Sequence, residues 1–190
     1  MKHIKKIAVI GNCGSGKSTL TQQLHELLKL PVYHLDKYYW KPGWQRVDPA
    51  EYAAIHDMLC ERDEWIMDGI NLRLLPRRIN AADMIIFLDI PRYKCIWRVV
   101  KRMIKYHGKE RPDSPIGCPE RFSFAFLKFL KWVWNFKKDY KPRIYNYLKM
   151  EKERDQDFVG MELYVPKLIY VLKSQKEIDE FIKKLKTHQL

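Results

Sequence analysis

The chain lacks any run approaching the ~20 consecutive apolar residues that a membrane-spanning helix needs. The apolar stretch that follows Lys2, Lys5 and Lys6 is too short for a secretory signal. No membrane partner is therefore expected, and a cytoplasmic location is. Cysteine is sparse and scattered: Cys13, Cys60, Cys95 and Cys118 form no C-x-x-C pair, which fits a reducing compartment and offers no disulfide framework. A zinc-bearing lid would need about four closely spaced Cys or His ligands. Only His107 and Cys118 fall in the relevant region, so no structural zinc is expected. Repeats and low-complexity tails are absent. Acidic residues are also short, 23 against 36 lysines and arginines, for a net charge of +13. The imbalance is local. Residues 92–143 hold 15 basic and four acidic residues, a surplus of 11. The phosphates of a nucleotide or of a nucleic acid are the two anions that such a segment fits, and a solvated face serving solubility is the plain alternative.

What the chain does contain is strand and helix in alternation. With 46% hydrophobic and 31% charged residues in a length of 190, it suits a single domain with a sizeable core. Ile7 to Ile10, Pro31 to Leu35, Glu64 to Asp68, Met84 to Asp89 and Leu168 to Leu172 read as strands. Helical patterns run over 19–30, 48–62, 72–81, 91–106, 119–138, 142–155 and 174–186. Asp48 before Pro49, and Ser174 three residues ahead of Glu177, are N-terminal helix signals. The pattern predicts an α/β fold with a parallel sheet of about five strands and helices on both faces. Residues 107–120 carry His107-Gly108, Pro112, Pro115, Gly117 and Pro119 and read as a flap. The expected organisation is one domain, 1–190, with a mobile, basic, helical lid insertion around 107–121.

Residues 11–18, Gly11-Asn12-Cys13-Gly14-Ser15-Gly16-Lys17-Ser18, match the phosphate-binding loop G-x-x-x-x-G-K-S/T, with a strand before and a helix after. That arrangement gathers backbone N–H groups and a positive helix end around a polyphosphate. Gly11 through Thr19 are the expected ATP-binding residues, Lys17 reaching the β- and γ-phosphates and the Ser18 hydroxyl ligating Mg²⁺. Ligands of such sheets bind at the carboxyl ends of the strands, which directs attention to Asp36, Asp68 and Asp89. Asp68, followed by Gly69, is read as the second acidic residue beside the metal, with a turn or cap as its plain alternative. Asp89, before Ile90-Pro91, is read chiefly as a cap for the following helix. Asp36 is the candidate to orient an acceptor hydroxyl and take its proton, against an Asx-turn reading. His34 is read as a packed, hydrogen-bonded strand residue in preference to a ligand.

Tyr39 and Trp44, in the aromatic stretch 38–44, offer flat faces to an acceptor or else pack as core. Gly69, Asn71 and Arg73 lie within reach of the same cleft. Arg98 and Arg102, four apart on one helix face, and Arg111 and Arg121, in and after the flap, are candidates to stabilise charge on a transferred phosphoryl group. Flap closure would exclude competing water. Residues 122–136 place aromatics around a polar stripe, read as a helix docking the flap onto the sheet in preference to one lying on a membrane or nucleic acid.

As a set, these segments resemble the P-loop nucleoside and nucleotide kinases. The likeness is closest to the adenylate-kinase-like bacterial DNA topology modulation proteins, through Gly11 to Ser18, His34-Leu35-Asp36, Lys41-Pro42-Gly43-Trp44, Trp65 to Gly69, Phe87 to Arg92 and Gly117-Cys118. The resemblance implies the P-loop NTPase fold, ATP in the loop, Asp68 in the second acidic position and the arginines of 98–121 over the phosphates. Adenylate kinases follow their Asp-Gly with Phe-Pro-Arg, where this chain has Ile70-Asn71-Leu72-Arg73. Asp36 followed by two tyrosines is instead similar to the uridine-kinase pattern, in which the aspartate serves a hydroxyl. The expected function is transfer of the ATP γ-phosphoryl group to a small acceptor. The alternative is an ATP-switched DNA-binding regulator that affects DNA topology.

Overall fold

A strand that is apolar at every position must be covered on both faces, and a parallel sheet between helix layers meets that demand. The computed structural model describes residues 4–111, 114–158 and 165–187; Pro112 of the expected flap lies outside them. The strands are β1 (Lys6–Gly11), β2 (Val32–His34), β3 (Trp40–Lys41), β4 (Gln45–Arg46), β5 (Trp65–Asp68), β6 (Met84–Leu88) and β7 (Leu168–Leu172). Five of them form one parallel sheet in the order β2-β5-β1-β6-β7, while β3 and β4 pair as a separate antiparallel hairpin.

The helices are α1 (Lys17–Leu28), α2 (Asp36–Tyr39), α3 (Pro49–Glu61), α4 (Leu75–Ala81), α5 (Arg92–Lys105), α6 (Phe124–Asp139), α7 (Lys141–Asp157) and α8 (Gln175–Lys186). Successive residues of β1 point to opposite faces, as the strand period dictates. Ile7 and Val9 pack with Leu20 and Leu24 of α1 and Phe181 of α8. Ala8 and Ile10 pack with Leu59 of α3, Leu75 of α4 and Ile144 of α7. Helix α6 reaches both layers, through Val133 on the first and Phe136 on the second.

Local chemistry sets the boundaries. The Asp48 carboxylate accepts from the N–H groups of Ala50 and Glu51 at 2.8 and 3.2 Å, ahead of Pro49 in the first turn of α3. Ser174 Oγ accepts from Glu177 N at 3.2 Å and caps α8, and the Glu177 carboxylate accepts from Lys173 N, one residue before the cap, at 2.9 Å. Helix α6 starts at Phe124 instead of 119 because Ser123 caps it, accepting from Phe126 N at 3.3 Å. The aromatic stretch after Asp36 has short elements of its own: Tyr38 and Tyr39 belong to α2, and residues 40–46 form the hairpin around Pro42–Trp44. Asp89 does not cap α5. Pro91 occupies the cap position, and the Asp89 carboxylate accepts from Lys141 Nζ at 2.7 Å and Tyr145 Oη at 2.9 Å, tying α7 to the end of β6.

His56 sits on the buried face of α3 and is 1% exposed. Burial, with the nearby Arg78 charge, pushes its pKa from 6.5 down to about 4, against the opposing pull of Asp57. The unfolded chain therefore takes up a proton that the folded chain refuses, so stability is full above about pH 6.5 and declines towards pH 4. Urea unfolding should show about 2–3 kcal/mol lost across that window. His56→Gln should flatten that part of the pH profile, and an unchanged slope would contradict a neutral buried imidazole.

Candidate active site

The turn from β1 into α1 is shaped by glycines that no other residue could replace without movement. Gly14 has φ +77°, and a Cβ there would lie 2.5 Å from the Cys95 carbonyl oxygen on α5. Gly16, at φ +103°, is the cap residue of α1, whose first turn has neither a side-chain cap nor an acidic residue. The positive end of a 12-residue helix therefore faces the cleft without internal neutralisation. Lys17 Nζ donates to the carbonyls of Gly11 and Asn12 at 3.0 and 2.9 Å, folding over the loop. Ser18 and Thr19 follow on the first turn, half-buried and exposed respectively. Asn12 is turned away: its amide donates to Val133 O on α6 at 2.8 Å, so its side chain anchors the loop from behind. Ser15 Oγ is buried with no hydrogen-bond partner among the described residues. Cys13 is crowded by the cleft wall. Burial pushes its thiol pKa up against the pull of Lys17, Arg102 and Arg111.

Asp36 is the first residue of α2 and is open to solvent, with protein crowding it on the remaining sides. That crowding, with the Asp68 carboxylate, pushes its pKa up, and Lys17, Arg111 and Arg102 pull it back. The same cations act on Cys13 of the loop, so loop, Asp36 and the two arginines share one cleft.

Asp68 ends β5 in register with His34 of β2 and Val9 of β1. Its buried carboxylate is held by His34 Nδ1 at 3.0 Å and by Thr21 Oγ1, which donates at 3.4 Å. Thr21, one helical turn after Ser18, is its contact with α1. His34 was read from sequence as a packed and bonded histidine. Its bond to Asp68 follows from the parallel register, which the sequence does not display.

The arginines divide. Arg98 donates to the carbonyls of Gly14 and Ser15 at 3.4 and 3.2 Å and to Gln175 Oε1 at 3.2 Å, bridging the loop to the start of α8. Arg102 and Arg111 meet on the buried Glu120 carboxylate, Nε to Oε1 at 3.5 and 2.8 Å. Arg121 is exposed and stands outside that group. Glu120 escaped the sequence reading. It is one of only four acidic residues in the basic segment, and that scarcity was the available signal.

Of the expected acceptor residues, Tyr39 packs edge-on against Trp40 and Tyr52, with ring centroids 4.8 and 5.0 Å away. Trp44 Nε1 donates to Pro119 O at 3.0 Å, so its ring ties the hairpin to the flap. Gly43 N donates to Gly117 O at 2.8 Å, and Cys118 Sγ to Lys41 O at 3.3 Å. Asn71 Oδ1 accepts from Arg73 N at 3.1 Å and shapes the turn before α4, while Arg73 is exposed. Gly69, at φ +138°, passes so close to Leu35 that a Cβ would meet its Cβ at 2.9 Å. Gly69 O accepts from Arg78 Nη2 at 2.8 Å. Arg78 is buried, with Nε and Nη1 unpartnered among the described residues, and burial lowers its pKa. Its i+3 spacing from Leu75 marked it as facing inward.

Taken together, the geometry is an α/β fold: a five-stranded parallel sheet between helix layers, with a glycine loop after the first strand. No family model matches the chain. A candidate kinase from Chloroflexus aurantiacus has the same fold, with a TM-score of 0.51, 16% identity, and 97% of this chain and 98% of that one aligned. Shikimate kinase from Acinetobacter baumannii, solved in complex with shikimate, gives a TM-score of 0.52 at 12% identity, over 96% and 90% of the two chains. In sequence, the chain is 29% identical over 110 residues to an uncharacterized protein, YqaC, of Bacillus subtilis (strain 168), covering 56% of this chain. It spans 61% of that relative's length.

The flap–hairpin contacts are testable. In Gly117→Ala a Cβ would meet Pro42 Cβ at 2.6 Å. The variant should lose the docking and be cut by trypsin after Lys109 roughly several-fold faster, with its global unfolding transition unchanged. Equal cleavage of the two proteins would show that the contacts do not hold the flap.

Proposed function

We propose that the chain is an ATP-dependent phosphotransferase that moves the γ-phosphoryl group to a hydroxyl of a small acceptor. The observation that carries this reading is the glycine loop at the start of α1, with Lys17 folded over its carbonyls and Arg98 of α5 bonded to it.

The loop fits a polyphosphate. Its glycines leave the backbone bare, the end of α1 carries no internal anion, and Lys17 already folds over the loop carbonyls. Lys17 and the N–H groups of residues 14–19 would hold the phosphates, and Arg98, against the loop and Gln175, would wall the nucleotide side. Ser18 would hold Mg²⁺, with Asp68 as an outer carboxylate, and the ion would supply charge neutralisation. Asp68, held by His34 and Thr21, serves that position as an oriented outer carboxylate.

Asp36 takes the acceptor proton as the acceptor oxygen bonds to phosphorus and the bond to the ADP oxygen breaks. Its raised pKa makes it a better base than a free carboxylate, and the surrounding cations act against that rise. Arg102 and Arg111, aligned by Glu120, face the charge that develops on the transferred group. The likeness to DNA topology modulation proteins rests on motif residues and is compatible with this chemistry. A switch acting on duplex DNA would instead bind it with a steep salt dependence.

A screen of nucleosides, sugars and small alcohols with Mg·ATP, reading ADP release, should find an acceptor. With it, Asp36→Asn should lower kcat about 10²- to 10⁴-fold while Mg·ATP still binds, and Lys17→Ala should weaken Mg·ATP binding itself. Full turnover in Asp36→Asn would remove the aspartate from the mechanism.

A further inference from the structure

Seven of the thirteen large apolar side chains exposed among the described residues belong to one helix pair: Tyr93, Trp97 and Ile104 on α5, and Phe122, Phe124, Leu127 and Trp134 on or just before α6. Trp97 is 62% exposed, Phe124 71% and Ile104 74%. Exposed apolar side chains gathered on one helix pair mark a candidate interaction surface. The two helices are joined by a buried seam of Val99, Met103 and Phe126. They run antiparallel, since Arg92 at the start of α5 lies 3.8 Å over the Trp134 ring near the end of α6. Positions 93, 97 and 104 share one side of α5, away from the seam, and Arg92 over Trp134 marks where the exposed rings of α6 approach α5.

The charge on this face has one sign. Helix α5 contains no Asp or Glu, and α6 only Asp139 at its last position. Lys94, Lys101, Lys105, Lys128 and Lys131 fringe the apolar strip and are exposed. Two of these ammonium groups lie over the rings they border, Lys101 at 5.0 Å from the Trp97 centroid and Lys128 at 4.9 Å from that of Phe124. Two copies of the face pressed together would set lysines against lysines with no carboxylate between them, which argues against self-association. Of the arginines of α5, Arg98 is turned to the loop and Arg102 to Glu120, while Arg92 is stacked on the Trp134 ring. What remains outward, aliphatic and aromatic side chains with a lysine rim, suits burial at an acyl boundary better than contact with a phosphodiester backbone.

We propose that the α5–α6 face docks the protein on an anionic phospholipid surface. Trp97, Ile104, Phe124, Leu127 and Trp134 enter the interface, and the lysines extend to the headgroups. The sequence reading expected no membrane because it weighed spanning segments and took residues 122–136 as a core helix. Among the described residues no helix is long and apolar enough to cross a membrane, and a helix pair lying along one needs neither property. The catalytic cleft stays free, because Arg98 and Arg102 leave α5 on the opposite side.

Co-sedimentation of the full chain with phosphatidylcholine vesicles carrying about a third phosphatidylglycerol tests this. Binding is expected to those vesicles, to weaken with added salt, and to be absent with phosphatidylcholine alone. Trp97→Glu and Phe124→Glu should each reduce it roughly tenfold, and Ile104→Ser should reduce it in part while leaving the melting curve unchanged. Absence of binding to the anionic vesicles overturns the proposal, as does binding that survives Trp97→Glu and Phe124→Glu. Capture of a single-stranded oligonucleotide, or dimer formation, that these variants abolish while vesicles go unbound would also overturn it and reassign the face.

Discussion

The close seat of the glycine loop against the first turns of α5 is the contact on which the rest of the cleft depends. Gly14 can approach the Cys95 carbonyl only because it has no side chain, and that approach fixes where α5 stands relative to the end of β1. From there the placement propagates. Helix α5 carries Arg98 to the loop carbonyls and Arg102 to Glu120. Glu120 draws in Arg111, and the flap that holds Glu120 rests on the hairpin that follows α2 and Asp36. A shift of the loop on α5 would therefore move the arginines and loosen the clamp.

The electrostatics of the cleft are asymmetric in a way that suits an anionic ligand. Glu120 is nearly buried between two guanidiniums, an arrangement that is costly to desolvate unless geometry and pairing are good. It orients the two arginines while cancelling only one of their charges. Arg78 is a second buried guanidinium, joined to Gly69 O and, among the described residues, to no carboxylate, which fixes the turn after β5. Asp68 and Asp36 differ in role because they differ in surroundings. Asp68 is immobilised by His34 and Thr21, while Asp36 keeps a solvent-facing carboxylate under opposing influences.

Much of this was legible in the sequence, for local reasons. The loop motif is a run of eight residues, and the strands announce themselves by apolar runs bounded by glycine, proline and aspartate. Both helix caps on Asp48 and Ser174 depend on neighbours within three residues. What stayed hidden depends on distant partners. The His34–Asp68 pair needs the β2–β5 register, and the Arg102–Glu120–Arg111 group needs the flap folded back on α5. Asp89 looked like a cap from its neighbours and is instead claimed by Lys141 and Tyr145, more than fifty positions away. The aromatic stretch after Asp36 gave no strand signal because its strands are two residues long, too short for alternation to show.

The central claim is that the loop, seated on α5 through a side-chain-free contact, grips a triphosphate. Calorimetric titration of Mg·ATP into the native chain and into Gly14→Ala tests it most directly. The account predicts micromolar-range association for the native protein and its loss, with a folded structure retained, when a methyl group is forced against the Cys95 carbonyl. No heat of binding to the native chain, or equal affinity in Gly14→Ala, would contradict it.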